Sequence, residues 1–358
     1  MTDSRLRVGI LGASGYGGAG LIERLTRHSG VWITAIGSRQ YLGQNIDACW
    51  PQFAGLLPDL RFADEDEVIG ASEVLFCATP HGATAPIVKR ASDAGVAVVD
   101  LSADFRLSPD SYRTWYGESH PHPELIASSR YGLVELHRAE LAGCRLVASP
   151  GCNATAASLA LAPLAAAGLL GTSAVATVLA GVSGAGRSPG AAVTFAEVNE
   201  NLKAYKPSGT HRHTGEIEAT LGRVRKGGKD LVTHSEFEPF TVSFTPHLVP
   251  VSRGILATCT TRPRDAELDD AGLLDIFRDY YAGDPLIHVQ SDLPQTKAVA
   301  GSDRAILSAR YDPRSRHIVA FCVIDNLGKG AAGQAVQGFN VAFGFKETEG
   351  LSVAGNWP

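Results

Sequence analysis

Short apolar runs alternate with segments of helical spacing through the first 150 residues. In chain order these strand and helix patterns occupy residues 5–11, 19–28, 31–38, 72–79, 82–95 and 96–102. Apolar runs of this length between amphipathic helices are typical of a parallel sheet that is covered on both faces. The pattern predicts an α/β fold that begins with a doubly wound domain over residues 1–150.

The pattern of apolar positions changes after residue 150. Segments 153–170 and 268–283 predict helices, and a further strand runs from residue 173 into a glycine-rich loop. The remaining strand patterns occupy residues 240–250, 253–262, 304–312 and 317–326. Long strands with few helices predict a mixed, largely antiparallel α+β domain over residues 151–329. Residues 330–345 predict a helix that packs on the first domain, so we assign about 330–358 to that domain.

A glycine-rich turn, GASGYGG (residues 12–18), lies between the first strand and the first helix. Gly12, Gly15 and Gly18 have a spacing that is a variant of the dinucleotide-binding motif. Gly12 permits a tight turn, Gly15 lets the backbone approach a pyrophosphate, and Gly18 lets the helix pack against the sheet. The helix N-terminus then offers free N–H groups to the phosphates. The turn predicts a Rossmann-type domain whose cofactor contacts include Ser14 and Tyr16.

The end of the second strand indicates which dinucleotide binds. An NAD site commonly has Asp or Glu there to bind the ribose 2′-hydroxyl. This chain has Ser38 and Arg39 instead. A hydroxyl and a guanidinium suit a 2′-phosphate, because Arg binds phosphate through paired hydrogen bonds. The sequence therefore predicts NADP(H) as the cofactor.

The segment SPGCNAT (residues 149–155) places Cys152 at the predicted start of a helix. A helix N-terminus lowers the pKa of a thiol and favours the nucleophilic thiolate. A free cysteine is more often a small buried residue, and Cys77, Cys259 and Cys322 lie in apolar strands where that role fits. We predict Cys152 as a nucleophile, with its N–H group and Asn153 as donors to a developing oxyanion.

A thiolate nucleophile needs an acid/base partner, and two histidines occur together in THRHTGEI (residues 210–217). His213 is the preferred acid/base because it lies closer to the predicted helix start, and His211 is the alternative. Arg212 and Arg253 are candidates for binding the anionic groups of the substrate. The glycine-rich loop 181–190 is either a flexible connection or a cover over a nicotinamide or an acyl phosphate.

Composition and charge narrow the class of protein. The formal net charge is −5, which disfavours nucleic acid as a partner. The six cysteines show neither CxxC spacing nor zinc-ligand spacing, and we recognise no signal peptide or membrane span. We expect a reduced cytoplasmic protein without a metal site. A thiolate, NADPH and no metal together predict reduction of an activated acyl group through a thioester.

A series of motifs in this order resembles the N-acetyl-γ-glutamyl-phosphate reductases and their relatives that reduce carrier-bound aminoadipyl phosphate in lysine biosynthesis. The motifs are GASGYGG, ATPHG, VVDLSADFRL, YGLVELHR, SPGCNATA, SGAGR, HRHTGEI, VPVSRGILATC, IDNLGKGAAGQAVQ and EGLSVAGNWP. The resemblance covers nearly the whole chain. It implies a fold like that of aspartate-semialdehyde and glyceraldehyde-phosphate dehydrogenases, and NADPH-dependent reductive dephosphorylation of an acyl phosphate to a semialdehyde.

The resemblance also implies roles for individual residues. Cys152 would be the nucleophile and His213 the acid/base. Substrate or phosphate contacts would come from Ser102, Arg106 and Arg187. Asn326 would lie beside the nicotinamide, and Ser183 and Gly184 of the glycine-rich loop are further candidate contacts of the cofactor. The family resemblance further implies a homodimer or a homotetramer.

The nucleophile motif bears on the choice of substrate. It reads Gly-Cys-Asn-Ala-Thr here, whereas the arginine-pathway enzymes usually have Gly-Cys-Tyr-Pro-Thr. We therefore prefer aminoadipyl phosphate attached to the small acidic carrier protein LysW, with N-acetyl-γ-glutamyl phosphate of arginine biosynthesis as the alternative. Two other classes remain open: a non-catalytic NADP-binding sensor, and a 2-hydroxy-acid dehydrogenase, which would not need Cys152.

Overall fold

Two seven-stranded sheets organise the chain in a computed structural model that describes residues 5–187, 190–227, 240–263 and 268–357. The strands of the first sheet are β1 Leu6–Leu11, β2 Val31–Gly37, β3 Phe62–Ala63, β4 Val74–Cys77, β5 Ala97–Asp100, β6 Ser129–Tyr131 and β7 Leu146–Ala148. Those of the second are β8 Ser173–Gly181, β9 Lys203–Ala204, β10 Thr241–Val249, β11 Ile255–Thr261, β12 Ile287–Val289, β13 Ala305–Asp312 and β14 His317–Ile324. The α-helices are α1 Tyr16–Thr26, α2 Glu65–Gly70, α3 Ala85–Asp93, α4 Pro109–Tyr116, α5 Pro123–Ile126, α6 Val134–Leu141, α7 Cys152–Ala166, α8 Phe195–Val198, α9 His213–Gly227, α10 Asp270–Tyr280 and α11 Gly333–Phe343.

The first sheet is parallel throughout, in the order β3-β2-β1-β4-β5-β7-β6. The strand order reverses between β1 and β4, and ligands of such sheets bind in the crevice beyond the carboxyl ends of the strands at that point. The glycine turn follows β1 and therefore opens into this crevice. The doubly wound α/β class predicted from the sequence is confirmed. Helix α1 begins at Tyr16, three residues before the predicted start, because Gly15 has the extended conformation of an N-cap.

The second sheet has the order β12-β13-β14-β11-β8-β10-β9. Its pairings are antiparallel except for β12 with β13 and β8 with β10, so the predicted mixed, largely antiparallel sheet is confirmed. Strands β10 and β11 follow one another in the chain but are not neighbours, because β8 lies between them. Helix α7 is buried from Asn153 to Ala165 against this sheet, and its N-terminus carries Cys152.

The C-terminal segment returns to the first sheet. Residues 328–332 form a single π-helical turn, and α11 follows directly. Ala335, Val336 and Phe339 pack in the same apolar core as β1 and α1. This packing supports our proposal that the segment from about residue 330 belongs with the first domain. No helix in the described ranges is long and apolar enough to cross a membrane.

Candidate active site

The glycine turn has the geometry that a dinucleotide site requires. Gly12 has a left-handed φ of +76°, and a Cβ there would overlap the carbonyl of Ala78 beyond β4. A Cβ at Gly18 would overlap the backbone of Ala13, so only glycine lets α1 approach the turn this closely. No side chain caps the N-terminus of α1, which leaves its first N–H groups available to a phosphate. The turn therefore fits the predicted cofactor.

The predicted 2′-phosphate residues lie beside this turn. The hydroxyl groups of Ser14 and Ser38 are 2.8 Å apart, which joins the turn to the end of β2. Arg39 follows and is largely exposed, and its guanidinium donates to Glu65 at 2.8 Å. Arg90 also binds Glu65, at 2.6 Å. Arg39 is thus partly neutralised by a carboxylate that it shares with a second arginine.

The predicted nicotinamide-side residues meet between β8 and β14. Asn326 is buried and donates from Nδ2 to the hydroxyl of Ser183 at 2.8 Å, while its Oδ1 accepts from the N–H of Gly254 at 2.8 Å. Gly184 lies next to this pair. Arg253 forms an ion pair at 3.0 Å with the buried carboxylate of Asp325, so its charge is already paired within the protein. Its contact with substrate stays a prediction.

Cys152 is the first residue of α7, as predicted, and it is only partly exposed. Burial raises the pKa of its thiol to about 11. The expectation that the helix N-terminus leaves this cysteine as a low-pKa thiol is therefore wrong, because desolvation outweighs the favourable backbone groups. The nearby charge of Arg106 lowers the pKa and that of Glu216 raises it. Asn153 lies beside the thiol, with Sγ 3.9 Å from its amide oxygen.

A buried carboxylate that the sequence prediction missed stands at the centre of the site. Glu216 is 1% exposed and accepts hydrogen bonds from Arg106 at 3.1 Å, from the Tyr131 hydroxyl at 3.0 Å and from the Gly151 N–H at 2.9 Å. It therefore holds the turn that precedes the nucleophile. The spacing His213-x-x-Glu216 on one face of a predicted helix was the available signal for this residue.

The two histidines occupy different positions around that turn. His213 begins α9, its Nε2 is 3.8 Å from Glu216, and a Cβ at Gly151 would overlap it. His211 instead packs its ring against Phe244, and its Nδ1 accepts from the His213 N–H at 3.1 Å. Burial lowers the pKa of His213 to about 4 and that of His211 to about 3. The placement favours His213 as the acid/base, and both histidines are neutral at pH 7.

Ser102 and Arg212 lie near this cluster but face other groups. The Ser102 hydroxyl donates to Asp100 at 2.8 Å and accepts from the Asp104 N–H at 3.1 Å, so in this structure it is part of an internal network. Arg212 lies over the ring of Tyr116, with its guanidinium carbon 5.1 Å from the centroid. Substrate contacts for both residues stay predictions. Within the described ranges, no group of three or more His, Cys, Asp or Glu side chains could hold a metal ion.

Arg187, for which the resemblance implied a substrate or phosphate contact, lies at the glycine turn. Its guanidinium donates to the carbonyl of Ser14 in the glycine turn at 3.1 Å and contacts Cys49. The side chains that contact Gly151, next to Cys152, are those of Glu216 and His213, and Arg106 binds Glu216. The predicted role of Arg187 at the acyl phosphate therefore has no support from its position.

Comparison with known proteins identifies the class of protein. Residues 7–144 match the semialdehyde dehydrogenase NAD binding domain, and residues 152–326 match the semialdehyde dehydrogenase dimerisation domain. Aspartate semialdehyde dehydrogenase II of Vibrio cholerae, complexed with ASA, has a TM-score of 0.70 at 18% identity, over 94% of this chain and 98% of that one. Aspartate semialdehyde dehydrogenase with NADP from Candida albicans has a TM-score of 0.70 at 19% identity, with the same coverage. The fold and the domain matches thus define a semialdehyde dehydrogenase, an oxidoreductase that acts on aldehydes.

The relatives in sequence are more specific. The N-acetyl-gamma-glutamyl-phosphate reductase of Thermus thermophilus is 48% identical over 98% of this chain and all of the relative. That of Symbiobacterium thermophilum is 43% identical, over 98% of both chains. The chain belongs to the N-acetyl-gamma-glutamyl-phosphate reductase family. The relatives favour the arginine-pathway alternative over the carrier-linked lysine substrate that the Cys-Asn-Ala-Thr motif had suggested.

Proposed function

We propose that this chain catalyses the NADPH-dependent reduction of N-acetyl-γ-glutamyl phosphate to its semialdehyde, with release of inorganic phosphate. The observation that carries the proposal is the cluster of Cys152, His213 and Glu216 around Gly151. A nucleophile, a neutral base and a buried carboxylate are the groups that acyl transfer to a cysteine needs. The substrate is inferred from the names of the relatives.

Activation of the thiol is the first step that these residues perform. Because burial raises the pKa of Cys152 and lowers that of His213, the resting pair is a thiol and a neutral imidazole. His213 accepts the proton as sulfur attacks the acyl carbon, and the negative charge of Glu216 stabilises the imidazolium. The carbon–oxygen bond to phosphate then breaks, phosphate leaves with the proton from His213, and a thioester forms on Cys152.

Reduction of the thioester follows. NADPH, when bound, supplies a hydride to the thioester carbonyl carbon. We assign the N–H groups at the start of α7, with the Asn153 amide, as donors to the oxygen that gains charge. The carbon–sulfur bond then breaks, which releases the aldehyde, and the thiolate regains a proton from solvent. Asn326 and Ser183 are the residues that we assign to orient the nicotinamide.

We assign the 2′-phosphate of NADP(H) to Ser14, Ser38 and Arg39. The hydroxyl groups of Ser14 and Ser38 are 2.8 Å apart beside the glycine turn. Both can donate hydrogen bonds to phosphate oxygens. Replacing Arg39 with Ala should raise the KM for NADPH about tenfold or more, and that for NADH by much less, since a charge-assisted contact to phosphate is lost. Equal changes in the two KM values would contradict this assignment.

The experiment that tests the proposed substrate is run in the direction of aldehyde oxidation. Phosphate-dependent NADP⁺ reduction is compared with N-acetyl-glutamate semialdehyde and with carrier-linked aminoadipate semialdehyde. A higher kcat/KM for the N-acetylated compound is expected. A preference for the carrier-linked compound would restore the lysine-pathway alternative, and turnover of neither would leave a cofactor-binding sensor. The Cys152→Ser variant should lose turnover with the preferred compound.

A further inference from the structure

The loop after β8 links the second domain to the glycine turn of the first. Ser183 in this loop is bound by Asn326 on the nicotinamide side, whereas Arg187, four residues later, reaches Ser14 in the glycine turn. One guanidinium nitrogen of Arg187 donates to the Ser14 carbonyl at 3.1 Å and contacts the Cys49 Sγ at 2.7 Å, and the other donates to the Cys49 carbonyl at 3.3 Å. The loop thus extends across the crevice in which the dinucleotide is expected.

Two aromatic rings contact the guanidinium at this position. Its central carbon lies 4.3 Å from the Trp50 ring centroid and 5.8 Å from that of Tyr41. Trp50 is itself tied to the turn, because its indole N–H donates to the Ala13 carbonyl at 2.9 Å. Stacked arginine keeps its planar donors oriented for an anion. The cation is therefore preorganised beside the turn before any ligand binds.

The charge of Arg187 distinguishes it from the other arginine near this turn. Among the described residues no carboxylate pairs with Arg187, and its partners are carbonyl oxygens, a thiol, the Tyr41 hydroxyl and aromatic rings. Arg39 is instead paired with Glu65. An uncompensated cation next to the uncapped N-terminus of α1 makes the local potential positive, and this is where a pyrophosphate is stabilised.

We propose that Arg187 binds the phosphates of the dinucleotide, principally the pyrophosphate, and so closes the cofactor crevice from the second domain. It does not bind the acyl phosphate of the substrate. This assignment rests on the dinucleotide site of the proposed function and is independent of which acyl phosphate is reduced. Binding of the cofactor would then require both domains, because one contributes the glycine turn and the other contributes the cation.

Calorimetric titration of the purified full-length protein tests this assignment without any turnover. Arg187→Met keeps the length of the side chain and removes its charge, and it should raise the Kd for NADP⁺ about tenfold or more. Arg187→Lys should fall between the Met variant and the parent. Arg212→Met is the matched control, because Arg212 also stacks on a tyrosine ring but lies by the histidines, and its Kd for NADP⁺ should match that of the parent.

The Kd values for NADP⁺ and NAD⁺, together with the KM for inorganic phosphate, decide between the possible roles of Arg187. Equal weakening for NADP⁺ and NAD⁺ places Arg187 on the pyrophosphate, and weakening for NADP⁺ alone places it on the 2′-phosphate; both support a cofactor role. An unchanged Kd overturns the proposal, whether or not the KM for inorganic phosphate rises. Thermal unfolding without nucleotide confirms that each variant is folded, and Arg187→Gln replaces the Met variant if that one unfolds. If the protein does not turn over the proposed substrate, these binding results still stand, because they are measured without turnover.

Discussion

At the scale of single residues, the reactivity of Cys152 depends on two opposite charges. The pKa of the thiol is raised to about 11, chiefly by burial; within this balance the guanidinium of Arg106 lowers the pKa and the carboxylate of Glu216 raises it. Arg106 and Glu216 also bind each other at 3.1 Å, so neither acts on the thiol alone. Formation of the thiolate is therefore tied to proton transfer, because a thiol in this environment does not ionise unaided at neutral pH.

Removing the charge of Glu216 should lower the pKa of the Cys152 thiol. Glu216→Gln keeps the shape of the side chain and one acceptor oxygen, but it removes the negative charge that opposes the thiolate. The pH dependence of alkylation by iodoacetamide should shift to lower pH in this variant. Arg106→Gln, the matched control with the opposite charge removed, should shift it to higher pH. Shifts in the same direction, or none, would contradict the electrostatic account.

The pH profile of the enzyme should report a base of unusually low pKa. His213 must be neutral to accept the thiol proton, and burial lowers its pKa to about 4. The value of kcat/KM should therefore change little between pH 7 and pH 5.5 and should fall as the pH approaches 4. His213→Asn should lower kcat/KM by about 10²–10⁴-fold. An acid limb centred near pH 6.5, the ordinary histidine value, would contradict the lowered pKa of this base, and an unchanged kcat/KM in His213→Asn would exclude His213 from the role.

The sequence indicated the nucleophile and its base but not the carboxylate between them. Cys152 and His213 are each marked by neighbours in the chain, a Pro-Gly turn and a second histidine. The role of Glu216 depends on Arg106 and Tyr131, which are 110 and 85 residues away in the chain and meet it only after folding. The placement of the Arg187 side chain could not be predicted for the same reason, because the aromatic rings that it contacts belong to the other domain.

At the scale of elements, the π-helical turn 328–332 is the least predictable part of the site. The sequence predicted the helix that follows, but not this turn, because the turn depends on a buried ion pair. Lys329 in the turn binds Glu135 of α6 at 2.5 Å, and both side chains are fully buried. The pair places Gly330 against Cys152, where a Cβ would lie 2.9 Å from that of the cysteine.

Breaking this ion pair should destabilise the fold more than removing it entirely. Lys329→Met leaves the Glu135 carboxylate buried without its cation, which should cost about 3–5 kcal/mol in the free energy of unfolding. The double variant Lys329→Met/Glu135→Leu removes both charges and should recover part of that loss. Urea unfolding of the parent, of the single variants Lys329→Met and Glu135→Leu, and of the double variant completes the cycle. Additive losses in the double variant would show that the two side chains do not act as a pair.

At the scale of the whole molecule, the four strands β1, β2, β4 and β5 of the first sheet were predictable, since consecutive βαβ units have few alternatives. The short strands β3, β6 and β7, which have two or three residues each, and the pairing across the second sheet were not predicted. The parallel pairing of β10 with β8 brings together segments that are far apart in the chain. Helices α7 and α10 cover one face of the second sheet. Val175 lies on the opposite face and is 50% exposed.

We expect this opposite face to form the interface of a homodimer. The segment that contains it matches a domain described as a dimerisation domain, and the outward positions of β8 and β11 include Val175, Thr177 and Thr258. Val175→Glu should change the mass measured by light scattering from twice the 37.6 kDa of one chain to that of a single chain, because a charge would have to be desolvated in the interface. Leu56→Glu, at an exposed position of the first domain, is the control and should remain dimeric. A parent protein that is monomeric, or a Val175→Glu variant that dimerises as the parent does, would place the interface elsewhere.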